Sequence, residues 1–164
     1  LTMEEVDDWF YSLEYQVAKS YALFLLGRRD YLKKALKEKF AGKEISEITS
    51  KKIIEAFERL GYVNDERIVQ SLIKKHQMKK SVREIKSLLY KKGIDYKNYA
   101  DLFLTISKTS EQETITKLIS RKKDKGRQKV FAYLYRKGFE IASINAVLNE
   151  FFKTQHVLGS EERE

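Results

Sequence analysis

The sequence predicts an all-α protein, an elongated and curved array of three tandem three-helix repeats with an extra helical segment at the N-terminal end. Three observations carry this expectation. The 164 residues include no proline, the residue that breaks helix interiors. One apolar spacing occurs three times, as Leu36, Phe40, Ile45, as Ile85, Leu89, Ile94, and as Val130, Leu134, Phe139. In each copy the second apolar residue follows the first by four and the third follows the second by five. Apolar residues at helical intervals then fill the chain between the copies and leave no room for a sheet.

The boundaries follow from those copies. Residues 1–14 form an acidic helical segment, residues 15–63, 64–109 and 110–153 the three repeats, and residues 154–164 a polar tail expected to be disordered. Thr2 with Glu5 is a capping-box signal for the leading helix, whose apolar face is Val6, Trp9, Phe10 and Leu13. Trp9 reads as a docking anchor. The first repeat opens near Tyr15 with a strongly apolar helix that includes Val17, Ala18, Tyr21, Ala22, Phe24 and Leu25 and ends at Gly27. Its second helix spans Tyr31 to Phe40, and its third runs from after Ser46 to Gly61 with Ile53, Ile54, Phe57 and Leu60 inward.

The second repeat starts with Asn64 or Asp65 as N-cap, followed by Ile68, Val69, Leu72 and Ile73. Its second helix has both ends written in. Ser81 and Glu84 make a capping box, and Gly93 stands where a left-handed residue ends a helix, with Ile94 as the apolar contact beyond it. Its third helix runs from Asp95 with Tyr99, Leu102 and Phe103. The third repeat opens on a capping box at Ser110 and Glu113, with Ile115, Leu118 and Ile119 following. Its second helix ends at Gly138, which matches Gly93, and its third carries Ile144, Val147, Leu148, Phe151 and Phe152. In the first copy Gly42 is out of register and Glu44 takes the glycine's place. A single unit of this size is marginal as a core, so stacking is required.

Charge is the main functional signal. The formal net charge is +9 and the pI about 9.5, a balance that favours an acidic partner. Glu4, Glu5, Asp7, Asp8 and Glu14 make the first stretch acidic, a pattern that suits a helix start through the helix dipole. Lys74, Lys75, Lys79, Lys80, Arg83, Lys86, Lys91 and Lys92 face only Glu84 nearby. Arg121, Lys122, Lys123, Lys125, Arg127 and Lys129 face only Asp124. Solvated helix faces explain any one cluster, whereas two clusters at equivalent places in two repeats favour a binding surface. At 100° per residue, Lys79, Arg83, Lys86 and Tyr90 fall together opposite Ile85 and Leu89, and Tyr135 takes the place of Tyr90 in the third repeat with Phe131 near it. The expected binding face is Lys79, Lys80, Arg83, Lys86, Tyr90, Lys91, Arg121, Lys122, Lys123, Lys125, Arg127 and Arg136.

No catalytic set is visible. The glycines are isolated, so no phosphate-cradling loop is written in. His76 and His156 have no ligand-like spacing, and no Ser-His-Asp arrangement stands above chance. The absence of cysteine removes thiol chemistry and disulfides and is compatible with a reducing cytosol. No apolar run crosses a membrane. The expectation is therefore a cytoplasmic, monomeric, non-enzymatic protein without catalytic residue, metal, cofactor, small-molecule substrate or membrane partner.

The stretches YALFLLGRRDYLKKALKEKF, RLGYVNDERI, EIKSLLYKKGID and YLYRKGFEIASINAVL resemble the RecX family, the regulators of the RecA recombinase. The resemblance covers about Tyr15 to Phe152, and Gly61 to Arg67 followed by an apolar helix is its most specific part. Phenylalanine often follows the Glu-Arg pair in that family, and Ile68 stands there in this chain. The resemblance implies three stacked three-helix repeats and no enzymatic activity. It also implies binding to the RecA–single-stranded DNA filament, with inhibition of its ATPase, strand-exchange and co-protease activities. Single-stranded DNA is a second candidate partner. A direct nucleic-acid-binding module, a helix-turn-helix repressor and a passive helical scaffold are the rival readings. Basic groups interleaved with aromatics favour the first of these, unless Tyr90, Phe131 and Tyr135 pack against the next repeat.

Overall fold

A computed structural model describes residues 2–104, 106, 108–122 and 125–161, apart from the side chains of 108, 109 and 154–161. The described residues form nine α-helices and one 3₁₀ turn, with no strand. In order these are α1 (Met3–Leu26), α2 (Lys33–Ala41), α3 (Glu47–Arg59), α4 (Asp65–His76), α5 (Val82–Lys91), the 3₁₀ turn (Tyr96–Tyr99), α6 (Ala100–Leu104), α7 (Lys108–Ser120), α8 (Arg127–Lys137) and α9 (Ile141–Glu161). The protein is all-α. Among the described residues no helix is long and apolar enough to cross a membrane. The chain divides into two compact units, Leu1–Ile68 and Val69–Glu164, with the division inside α4.

The threefold apolar spacing marks three helix ends of one construction. After α2, α5 and α8, the N–H groups of Ile45, Ile94 and Phe139 donate to the carbonyls of Phe40, Leu89 and Leu134, at 3.1, 3.0 and 3.3 Å. These are the six-to-one bonds of a Schellman end, which need a left-handed residue just before the donor. Gly93 (φ 76°) and Gly138 (φ 86°) supply it, and Glu44 (φ 58°) supplies it without glycine's freedom. The end of α3 repeats the device, with Gly61 at φ 76° and Tyr62 N–H bonded to the Phe57 carbonyl. The residues of the spacing are buried, except that Ile45 is half-buried.

In the first unit, Ala18, Ala22 and Leu25 of α1 pack with Leu36 and Phe40 of α2 and with Ile53, Ile54 and Phe57 of α3. The carboxylate of Glu14 ties α1 to the start of α3. It accepts from Ser46 N–H at 2.8 Å, from Ser46 Oγ at 2.7 Å and from Thr49 Oγ1. Those donors hold the Glu14 carboxyl below its ordinary value, the Thr49 bond most of all. In the second unit, Ile115 and Ile119 of α7, Val130 and Leu134 of α8, and Ile144 and Leu148 of α9 share one core. There Glu111 of α7 makes the corresponding tie, accepting from Ser143 Oγ at 2.8 Å and from Glu140 N–H at 3.5 Å at the start of α9.

Helix α5 is fixed at its first turn. Ser81 Oγ accepts from Glu84 N–H and donates to the carbonyl of Lys137 on α8, and Glu84 returns the capping box to Ser81 N–H. The Lys137 ammonium lies 2.9 Å from Glu84 Oε1. That bond, chiefly, raises the Lys137 pKa above its ordinary value. A methyl group at Gly138 would meet the Arg83 side chain at 2.5 Å, so the left-handed turn also seats Arg83.

Five sequence expectations are corrected, the first being Leu60, expected inward and 66% exposed. The acidic segment and the first repeat helix are one helix, α1, because nothing between Thr2 and Gly27 stops it. Its apolar face at Val6, Trp9, Phe10 and Leu13 is exposed, with Trp9 at 65%. The third helix of the middle repeat is only a 3₁₀ turn and the five residues of α6, with no buried residue in either. Ser110 and Glu113 lie inside α7 and do not cap it; Ser110 Oγ donates to Met78 Sδ instead. Helix α9 continues to Glu161, because no proline or glycine interrupts residues 141–158. Of the two N-cap candidates for α4, Asn64 takes the part, accepting from Arg67 N–H at 2.9 Å. Asp65 instead accepts from Lys33 N–H.

Candidate functional site

The basic residues singled out by sequence fall into two concavities of the second unit and a remainder outside both. The larger concavity, about 1000 Å³, lies along α5 and α6. Arg83, Lys86 and Lys97 supply its cations, and Val82, Tyr96 and Phe103 are among its apolar lining. Lys86 is half-buried, its ammonium 5.5 Å from the Tyr96 ring centre and 5.3 Å from that of Phe103. This cation is thus held over aromatic faces. Tyr90 is 75% exposed at the edge of the same concavity.

The smaller concavity, about 270 Å³, is lined by Lys122, Lys125, Lys129, Ala132, Tyr133 and Arg136. It has four cations and, among the described residues, no carboxylate. Lys122 lies 4.2 Å over the Tyr133 ring and Lys137 approaches the same ring at 5.6 Å. Arg136 Nε donates to the Ala132 carbonyl one turn back. A concave set of ammonium and guanidinium groups around one aromatic ring suits a phosphodiester backbone with a neighbouring base.

Lys79, Lys80, Lys91, Arg121 and Arg127 line neither concavity. Lys79, Lys91 and Arg121 are exposed and Lys80 is half-buried. Arg127 donates to Asn149 Oδ1 at 2.6 Å. Lys123 lies outside the described residues. Of Tyr90, Phe131 and Tyr135, expected to pack against a neighbouring repeat, Tyr90 and Tyr135 are exposed and Phe131 is half-buried against the core of the second unit. Tyr135 is 55% exposed, and its ring is stacked on that of Phe131 at 6.3 Å.

Sequence reading passed over Lys97 and Tyr133, and counted Lys129 in the second charge run without placing it on the binding face. Lys97 sits outside the two charge runs and Tyr133 inside an apolar stretch, and only the fold sets them beside the other cations. His76, read as a surface residue, is half-buried at the end of α4. Its pKa is lowered by burial first and then by Lys80, Lys75, Lys79 and Lys92. The imidazole therefore registers the positive field of this region. Among the described residues no three acids or histidines gather as a metal site would require.

No family model matches the chain. Curated relatives do. The chain is 31% identical over 153 residues to "Regulatory protein RecX" of Caldanaerobacter subterraneus subsp. tengcongensis, covering 91% of this chain and 78% of the relative. It is 26% identical over 154 residues to the protein of the same name from Clostridium perfringens, covering 88% and 73% respectively. Among solved structures, the crystal structure of RecX from Lactobacillus salivarius superposes with a TM-score of 0.74 at 22% identity, over 85% of this chain and 97% of that one. A second crystal structure, of a regulatory protein RecX, gives 0.73 at 18% identity, over 92% and 80%. At those identities the two structures share the fold with this chain.

Proposed function

The chain belongs to the RecX family of regulatory proteins, and from that premise we propose that it regulates a RecA-type recombinase by binding its filament on single-stranded DNA. The consequences of binding are lower ATP hydrolysis, strand exchange and co-protease activity. On this reading the protein is a cytoplasmic, monomeric, non-enzymatic regulator in DNA recombination and repair. It acts because it binds one filament state more tightly than another, the condition for any ligand to shift an equilibrium.

The observation that supports this reading best is the concavity of Lys122, Lys125, Lys129 and Arg136 around Tyr133, which has no carboxylate among the described residues. Its charges suit the phosphates of a filament's DNA, and its ring suits an unstacked base. The exposed Tyr90 and Tyr135 favour the second reading, direct binding of single strands without a recombinase.

Anisotropy of a labelled oligothymidylate, bare or coated with recombinase, separates the two. The filament reading expects tight binding to the coated strand and weak binding to the bare one. Replacing Lys125 and Lys129 by glutamate should flatten the fall of log affinity with log salt, by about 0.7 for each phosphate of a single strand that is no longer neutralised. Equal binding to bare and coated strands contradicts the filament reading and favours the second.

A further inference from the structure

The larger concavity in the second unit has a different chemistry from the smaller one, and that difference identifies a different ligand. Its origin is the short third element of the middle repeat. After the left-handed turns at Glu44 and Gly138, α3 and α9 bury Ile53, Ile54 and Phe57, and Ile144, Val147 and Leu148. After the corresponding turn at Gly93, neither the 3₁₀ turn nor α6 buries any residue.

The result is a trough of about 1000 Å³, at the upper end of the range of ligand pockets. Val82, Tyr96, Phe103 and Ile106 contribute its apolar surface, and Leu104 stands at it 81% exposed. Arg83, Lys86 and Lys97 supply cations, and among the described residues none of the three is ion-paired. Glu111 and Glu140 also line it.

Those two acids disfavour a phosphate backbone, and Val82, Leu104 and Ile106 set aliphatic surface beside the Tyr96 and Phe103 rings. An apolar surface with cations and carboxylates at separate positions matches a peptide, where apolar side chains enter and charges pair at the edges. Three cations against two acids, one of them already occupied at the start of α9, select a segment with surplus carboxylates. We propose that this trough is a docking site for an acidic amphipathic segment of a protein partner, with apolar side chains on Tyr96, Phe103 and Leu104 and carboxylates on Arg83 and Lys97. The site is separate from the smaller concavity, and the inference does not require the partner to be the recombinase.

The test is fluorescence anisotropy of the full chain with a labelled synthetic helix of about 15 residues. The probe has leucines at i, i+3, i+4 and i+7 and glutamates along one edge. Controls are the same peptide with serine for leucine, the same peptide with lysine for glutamate, and an oligothymidylate. The probe should bind, and both altered peptides should bind at least about tenfold more weakly. Leu104→Asp and Lys97→Glu, at exposed positions, should each cause a similar loss without lowering the melting temperature. Lys125→Glu should leave peptide binding unchanged. Failure of the acidic probe to bind, equal binding of the serine peptide, or indifference to both trough variants would overturn the proposal. An oligothymidylate whose binding is lost with Leu104→Asp would reassign the trough to nucleic acid.

Discussion

Glu44 is the most informative single residue of the fold. A non-glycine residue at φ 58° costs roughly 1–2 kcal/mol relative to the right-handed region. The chain accepts that cost because the Ile45-to-Phe40 bond and the half-buried Ile45 require the turn. Apolar spacing located the turn in the sequence; the glycine alone would have misplaced it at Gly42, whose φ is −67°. Glu44→Gly should raise stability in urea melts by about 0.5–1 kcal/mol, the gain reduced by glycine's extra freedom in the unfolded chain. A loss of stability would show that the Glu44 side chain makes a contribution larger than the strain. His76 offers a second test. Its pKa lies below 6.5 in the folded chain, so below that pH the unfolded chain takes up a proton that the folded chain resists. Stability should decline as pH falls past 6.5, and His76→Gln should remove that part of the decline. An anionic ligand bound near Lys79 and Lys80 should raise the His76 pKa, read from its imidazole proton resonances, whereas an unmoved titration would place the ligand elsewhere.

At the scale of elements, helix ends were legible and helix extents were not. The Ser81–Glu84 capping box, the Ser46 cap and the glycines at 93 and 138 are local signals, set by bonds within a few residues. No local signal marks the continuity of α1 through Tyr15 or the brevity of α6. Glu14 looked like the last of an acidic run, yet its carboxylate holds the start of α3. Because the folded pKa of Glu14 is depressed, its contribution is fully present above the ordinary carboxylate value of 4.5 and is lost as pH falls below it. Glu14→Gln should lower stability at neutral pH by on the order of 1–2 kcal/mol. The gap between parent and variant should close with acidification, and a gap that persists at low pH would mean that charge is not what the tie requires. Ser81 is 1% exposed and satisfies two helices at once, so Ser81→Ala leaves the Lys137 carbonyl and the Glu84 N–H without it. Calorimetry should show a loss of about 1–3 kcal/mol, more than an exposed cap would give. A loss within a few tenths of a kcal/mol would contradict the interlock of α5 with α8.

At the scale of the molecule, composition and periodicity were enough for the all-α class, and the grouping of the binding residues was not legible. Two lysine-rich runs suggested one basic face. In the second unit Arg83, Lys86 and Lys97 line an apolar trough, and Lys122, Lys125, Lys129 and Arg136 line a concavity with no carboxylate among the described residues. Charge runs report how many cations are near in sequence, whereas the chemistry of a site depends on which acids and rings the fold sets among them. The most direct measurement of the central claim is ATP hydrolysis by the recombinase on single-stranded DNA as this protein is added. The account predicts that the parent suppresses hydrolysis, and that a folded Lys125→Glu, Lys129→Glu variant needs at least about tenfold more protein to do so at low salt, the difference shrinking as salt screens the charges. Hydrolysis untouched by the parent, or suppressed equally by parent and variant at low and high salt alike, would contradict it.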